Sequence, residues 1–292
     1  MKYPFLPRVA RKIRRKSRVA IAPLTVRRLQ RRNLSSTAAV VDGSHPVYVS
    51  LTTHGNRLET VHLTIESIAR GRELPGRIVL WLDDESAWEN RPAALRRLES
   101  RGLEIRLTDN LGPHTKYYPA LEDLSDDDLL VTADDDMIYP VSWLQGLVRA
   151  HRRHPELIHC HRAHLVTFDA PGSLTPYEKW DECWTRESSI AVFATGVSGV
   201  IYPKAMIDLL QAGGTSFLSS APKADDVYLH SVAATNGIRV KQIKTAPEHY
   251  AMLPDSQDQG LYHDNVKASG NDAQIAASYS VGLLHEIQKA RG

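Results

Sequence analysis

Two cysteines, Cys160 and Cys183, are all that this 292-residue chain contains, and they show no C-x-x-C spacing. That excludes a disulfide framework or a zinc ribbon and fits a reducing compartment. No stretch approaches 18 consecutive apolar residues, which excludes a membrane-spanning helix. No G-x-G-x-x-G follows the first strand pattern and no G-x-x-x-x-G-K-[ST] occurs anywhere, so neither glycine-built phosphate cradle is available. Internal repeats are also missing, which excludes solenoids and propellers. Acidic residues are absent from positions 1–32, where twelve Lys or Arg stand, while the remaining 260 residues carry 24 basic and 34 acidic side chains. The net charge of +2 thus hides a basic arm on an acidic body.

What is present points to a soluble globular protein with a sizeable core, since hydrophobic residues make up 42% and charged residues 24%. The arm, 1–32, followed by a small, polar stretch to residue 44, reads as an interaction tail and linker ahead of one large domain, 45–292. Its charge, together with Tyr3, Phe5 and Leu6 in front and Val19 to Leu24 behind, suits an anionic membrane surface. Nucleic acid fits less well, because the acidic body opposes it. A secretory signal fits less well too, because the apolar stretch is short and broken by Pro23. The expected location is cytoplasmic, peripheral on the inner face of the membrane.

Val47 to Thr52, Arg77 to Leu82, Leu103 to Leu107 and Leu129 to Ala133 are apolar or β-branched runs of strand length. Helical patterns at Leu58 to Arg70, Pro92 to Arg101 and Val141 to Ala150 alternate with them. That rhythm predicts an α/β fold with a mainly parallel central sheet flanked by helices. Later segments predict a short strand at His159 to His161, helices at Lys204 to Ala212 and Ala224 to Asn236, a strand at Arg239 to Ile243 and one terminal helix over Asn271 to Arg291.

The fourth strand ends in Asp134-Asp135-Asp136. Three adjacent like charges repel, so a cation or a set of donors must hold them together. In an extended segment Asp134 and Asp136 share a face, with Cα atoms on the order of 7 Å apart, and can offer oxygen to one hard divalent ion. A solvated loop, or favourable charge at the start of the helix after Pro140, is the alternative. In open α/β sheets ligands sit beyond the carboxyl ends of the strands. Here those ends carry Thr53 and Arg57, Asp83 and Asp84, and the aspartate triplet. With no glycine cradle, a diphosphate needs metal and side-chain cations, for which Lys116 and Arg57 are the nearby donors. The histidines at 151, 154, 159, 161 and 164 read as surface or hydrogen-bonded residues rather than a zinc site. Trp180, Trp184 and Tyr177 read as packing before they read as a sugar platform.

The stretches VSLTTHGNRLETVHLTIESI (49–68), RIVLWLDD (77–84), LGPHTKYYPAL (111–121), LLVTADDDMIYP (129–140), TGVSGVIYP (195–203) and ADDVYLH (224–230) occur in that order. On them the chain resembles GT-A glycosyltransferases and is similar to bacterial enzymes that build capsular or other cell-surface polysaccharide. The resemblance implies a metal-dependent transfer of a sugar from a UDP- or GDP-linked donor to a glycan or lipid-linked acceptor. Asp134, Asp135 and Asp136 then stand for the D-x-D motif, with Asp134 and Asp136 on Mn2+ or Mg2+. Asp83 and Asp84 stand for the acids that contact nucleobase or ribose, and Gly196 to Gly199 for the loop beside the donor sugar. Asp225 and Asp226 stand for the catalytic acid pair, with Asp226 as base. His249 is a candidate third metal ligand, and His263 another. The donor-binding set is completed by Thr53, Arg57 and Lys116, and the domain divides into a nucleotide-binding half, 45–150, and an acceptor half, 151–292. Competing readings are a sugar-nucleotide nucleotidyltransferase, for which Thr53 to Arg57 makes a poor first loop, and a catalytically silent glycan-binding scaffold.

Overall fold

The computed structural model describes residues 21–170, 172–253 and 270–291. Helix α1, described over 21–35, leads to β1 (Val47–Thr52), α2 (Val61–Ala69), β2 (Arg77–Leu82), α3 (Glu85–Glu89), α4 (Ala93–Glu99) and β3 (Leu103–Leu107). Then come β4 (Leu129–Thr132), β5 (Met137–Ile138), α5 (Trp143–Arg153), β6 (Ile158–Cys160), β7 (Ala163–Leu165), β8 (Asp181–Glu182), β9 (Val192–Ala194) and β10 (Val200–Ile201). The chain continues through α6 (Lys204–Gly213), α7 (Phe217–Ser220), α8 (Asp225–Thr235), β11 (Val240–Gln242), β12 (Ala251–Met252), α9 (Gly270–Ser278) and α10 (Val281–Arg291).

Seven strands form the central sheet in the order β11-β6-β10-β4-β1-β2-β3. Strand β1 pairs in parallel with β2 and β4, β2 with β3, and β11 with β6; only β10 runs antiparallel, between β4 and β6. Side chains alternate between faces along each strand. Val47, Val49 and Leu51 therefore pack with α2, α4 and α5, while Tyr48 packs with α6, α8 and the terminal helices. Both faces are covered, which is why β1, β2 and β4 are largely apolar.

Two expectations change, and one connection is built of turns. The stretch after the arm does not hang free: Asn33 and Val40 are buried, and Asn33 Nδ2 donates to Glu66 Oε1 at 3.2 Å and to the Ala94 carbonyl at 3.0 Å. The fully buried Glu66 also receives Arg101, at 2.5 Å, and Arg32 Nε, at 3.0 Å, so α1 is clamped to α2. Residues 1–20 of the basic arm lie outside the described residues. The terminal helix is two helices, because Ser280 Oγ accepts the Leu283 N–H at 3.1 Å and caps a new start, while Tyr279 turns inward to His230. Between β3 and β4 no helix forms; Gly112, Pro113 and Pro119 give two 3-10 turns, Gly112–Lys116 and Pro119–Glu122.

Candidate active site

The parallel strands β1, β2 and β4 end on one rim, where a cavity of about 920 Å³ opens. Its lining includes Arg57, Asp83, Asp84, Lys116, Asp134, Asp135, Asp136, Asp225, Asp226 and His249, so residues spread over some 190 positions of sequence meet here.

The aspartate triplet divides its labour. Asp135 points inward: its carboxylate accepts Thr53 Oγ1 at 2.6 Å and Arg57 Nη1 at 2.9 Å, and its backbone carbonyl accepts Thr64 Oγ1 at 2.7 Å. Thr53 thus reaches the site through Asp135. Asp134 Oδ1 accepts Lys116 Nζ at 2.7 Å, and Arg57 Nη2 lies 3.5 Å from Asp136. Tyr139 fixes the turn from behind, accepting the Asp134 N–H on its hydroxyl at 2.9 Å. Burial, then the charges of Asp134 and Asp135, push the Asp136 carboxyl up to about 7.

Helix α8 brings Asp225 and Asp226 to the opposite wall in its first turn. Lys116 bridges the walls, its Nζ 3.1 Å from Asp225 Oδ2. Burial would lower this lysine, but Asp134, Asp225 and Asp226 hold it well above the usual range. Asp226 accepts the Gly196 N–H on both carboxylate oxygens, at 3.0 and 3.1 Å. A side chain at Gly196 would put its Cβ 3.0 Å from Asp226 Oδ1 and 3.3 Å from Lys116 Nζ. Glycine is what lets the backbone approach. Burial, then the Asp225 charge, push the Asp226 carboxyl up to about 7, against the pull of Lys116 and the Gly196 N–H.

Other predicted residues have additional duties. Asp84 caps α3, accepting the Ala87 N–H at 2.7 Å, whereas Asp83 lines the cavity without that duty. Gly199 has φ +91° and a Cβ there would lie 2.5 Å from Trp143 Nε1, so its glycine serves packing. His249 reaches the cavity with its Nε2 3.2 Å from Glu182 Oε1. His263 lies outside the described residues. Trp180 and Trp184 are buried in the body, while Tyr177 lines the cavity. His159 and His161 bond the His154 and Trp143 carbonyls at 2.9 and 3.0 Å. Among the described residues, no three His, Cys, Asp or Glu side chains gather as a metal-ligand group.

The donor set nonetheless suits a hard divalent ion. Seven aspartates line the cavity against Arg57, Lys116 and Arg162. Burial first, and then the Asp134 and Asp135 charges, raise the Asp136 carboxyl, a cost that a cation between Asp134 and Asp136 would relieve. Mg2+ is usually held by one or two carboxylates with phosphates and water completing the shell, which two strand-end aspartates can supply. Sequence reading missed Arg162, Asn110 and Asn271, which also line the cavity. An arginine directly after the His159-to-His161 strand run was the one local signal.

No family model matches the sequence, and no curated protein matches it. Solved structures do. The mannosyltransferase PcManGT from Pyrobaculum calidifontis, in complex with GDP-Man and Mn2+, is similar at a TM-score of 0.53 and 13% identity, over 94% of this chain and 77% of that one. The chain has the GT-A glycosyltransferase fold. TarS 1–349 of S. aureus in complex with UDP-GlcNAc is similar at a TM-score of 0.49 and 13% identity, covering 83% of this chain and 70% of that one. A 4-diphosphocytidyl-2C-methyl-D-erythritol synthase from Anaerococcus prevotii DSM 20548 is similar at 0.47 and 16%, covering 78% and 100%. In the GT-A fold the rim described above lies at the carboxyl ends of the parallel strands, where ligands of open α/β sheets bind.

Proposed function

We propose that the protein is a metal-dependent glycosyltransferase that moves one sugar from a nucleoside-diphosphate donor to a hydroxyl of a glycan or lipid-linked acceptor. The observation that carries this reading is the meeting of two acid sets in one cavity: Asp134 and Asp136 from a strand end, Asp226 from a helix start. The Mn2+ and GDP-Man of PcManGT support the same assignment.

Asp134 and Asp136 would hold Mn2+ or Mg2+, which as a Lewis acid stabilises charge on the departing nucleoside diphosphate. Asp83 takes the ribose or base, and Lys116 adds positive charge near the diphosphate. Arg57 and Thr53 hold Asp135, which sets the position of its two neighbours. Asp226 accepts the proton of the acceptor hydroxyl at its carboxylate, a task its raised value suits near neutral pH. The Gly196 N–H keeps that carboxylate aimed. The nucleotide side then falls in 45–150 and the acceptor side in 151–292. The basic residues 1–32 bind an anionic membrane surface on the cytoplasmic side and present the cavity to cell-surface polysaccharide precursors; among the described residues no helix is long and apolar enough to cross a membrane.

Incubation with a panel of UDP- and GDP-sugars and Mn2+ tests the reading. Slow release of nucleoside diphosphate from one of them is the expected result. Release of pyrophosphate from a nucleoside triphosphate plus a sugar 1-phosphate, with no turnover of any nucleotide sugar, would overturn it.

A further inference from the structure

Three cations line the cavity, and two are matched to acids: Arg57 to Asp135 and Asp136, Lys116 to Asp134 and Asp225. Arg162 differs. Its Nη1 donates to Thr195 Oγ1 at 3.3 Å and its Nη2 to His164 Nε2 at 3.0 Å. His164 Nδ1 lies 3.4 Å from the Trp180 carbonyl, which fixes the tautomer with hydrogen on Nδ1 and a lone pair toward the arginine. Burial, then the Arg162 charge, push this imidazole down to about 4, so it is neutral at physiological pH. Among the described residues, Arg162 makes no ion pair, and its buried Nε has no hydrogen-bond partner. A half-buried guanidinium held only by neutral groups is a charge waiting for a counter-charge.

Its place in the fold says which ligand. Arg162 adjoins Thr195, whose next residue, Gly196, holds Asp226. It therefore stands on the wall of the catalytic base, with Tyr177 and Asn271 in the same lining, rather than among the strand-end acids. We propose that Arg162 is the core of an anion subsite that takes a carboxylate or phosphate carried by the acceptor. The proposal rests on the sugar-transfer reading for the word acceptor, and on geometry alone for the anion. A planar guanidinium matches both oxyanions with paired N–H donors, and lysine cannot reproduce that fork. The seven aspartates repel the same anion elsewhere in the cavity, so the arginine also sets the acceptor's orientation.

The full chain, in Mn2+ and either UDP or GDP, is titrated with glucuronate, glucose 6-phosphate and glucose by saturation-transfer NMR. Wild type is expected to prefer at least one anionic sugar over glucose by about tenfold or more. Which anion it prefers separates a carboxylate-bearing acceptor from a phosphate-bearing one. Arg162→Gln is expected to erase the preference, Arg162→Lys to keep part of it, and both to leave nucleotide affinity unchanged. No preference in wild type would overturn the proposal, as would a preference that survives in folded Arg162→Gln. So would a loss of nucleotide affinity in that variant, which moves the arginine to the donor's diphosphate. Failure of the sugar-transfer reading shows differently: nucleotide does not bind wild type, while the preference for anionic sugars persists and still depends on Arg162.

Discussion

Asp226 and Asp135 are chemically identical side chains in one cavity, and their surroundings give them opposite uses. Asp226 accepts the Gly196 N–H and feels the nearby Lys116 charge, and its carboxyl is raised to about 7 by burial and then Asp225. In the proposed reaction the ionised form is the base, so kcat/KM is expected to rise with pH and level off above about 7, falling about tenfold per unit below. Asp226→Asn should abolish that limb and lower kcat by about 10²–10⁴ with donor affinity kept. Stability runs the other way. A carboxyl with a folded value above its unfolded 3.8 contributes stability below about pH 4 that is lost as pH rises through about 7. Asp226→Asn should therefore raise stability at pH 8 by about 1–2 kcal/mol in urea denaturation. Asp135 is tied to Thr53 and Arg57, and Asp135→Ala leaves a guanidinium that has lost its main partner. That variant should lose about 3 kcal/mol by the same measurement. The acids were legible in the sequence because a charged triplet after a buried strand breaks the ordinary pattern. The division of work inside the triplet was not, because it depends on Arg57, some 78 positions away.

At the scale of elements, β1, β2 and β3 match their sequence bounds residue for residue, since β1 and β2 are mainly apolar runs and β3 alternates apolar with charged residues, each followed by Thr or Asp. Local signals failed where long-range contacts decide. Ser280 looks like one polar residue in a helical pattern, and its capping role appears only when Tyr279 has a buried partner in His230. The segment 33–44 is small and polar enough for a linker, and Glu66 is what recruits its start. Glu66→Ala should free α1 from α2, seen as faster amide exchange over 21–40 with the sheet still protected. Gly199 is a second element-level constraint: the backbone just before β10 approaches Trp143 so closely that no Cβ fits, at a positive φ besides. Gly199→Ala should cost about 2–4 kcal/mol and alter the near-ultraviolet tryptophan signal, while Gly214→Ala, where nothing lies within 4 Å, should cost less.

For the whole molecule, charge is sorted by position: twelve basic residues in 1–32, and an acid-lined cavity in the body. The arm is expected to bring the protein to anionic vesicles at about 1 kcal/mol per basic residue near the surface, and this binding should fall steeply with salt and with deletion of residues 1–20. The cavity is expected to collect a divalent cation together with a nucleoside diphosphate. Electron paramagnetic resonance of Mn2+, titrated with and without UDP or GDP, measures that directly. Bound Mn2+ should appear with wild type, tighten with one of the nucleotides and vanish in Asp134→Asn/Asp136→Asn. Equal Mn2+ and nucleotide affinity in wild type and in that folded double variant would contradict the account.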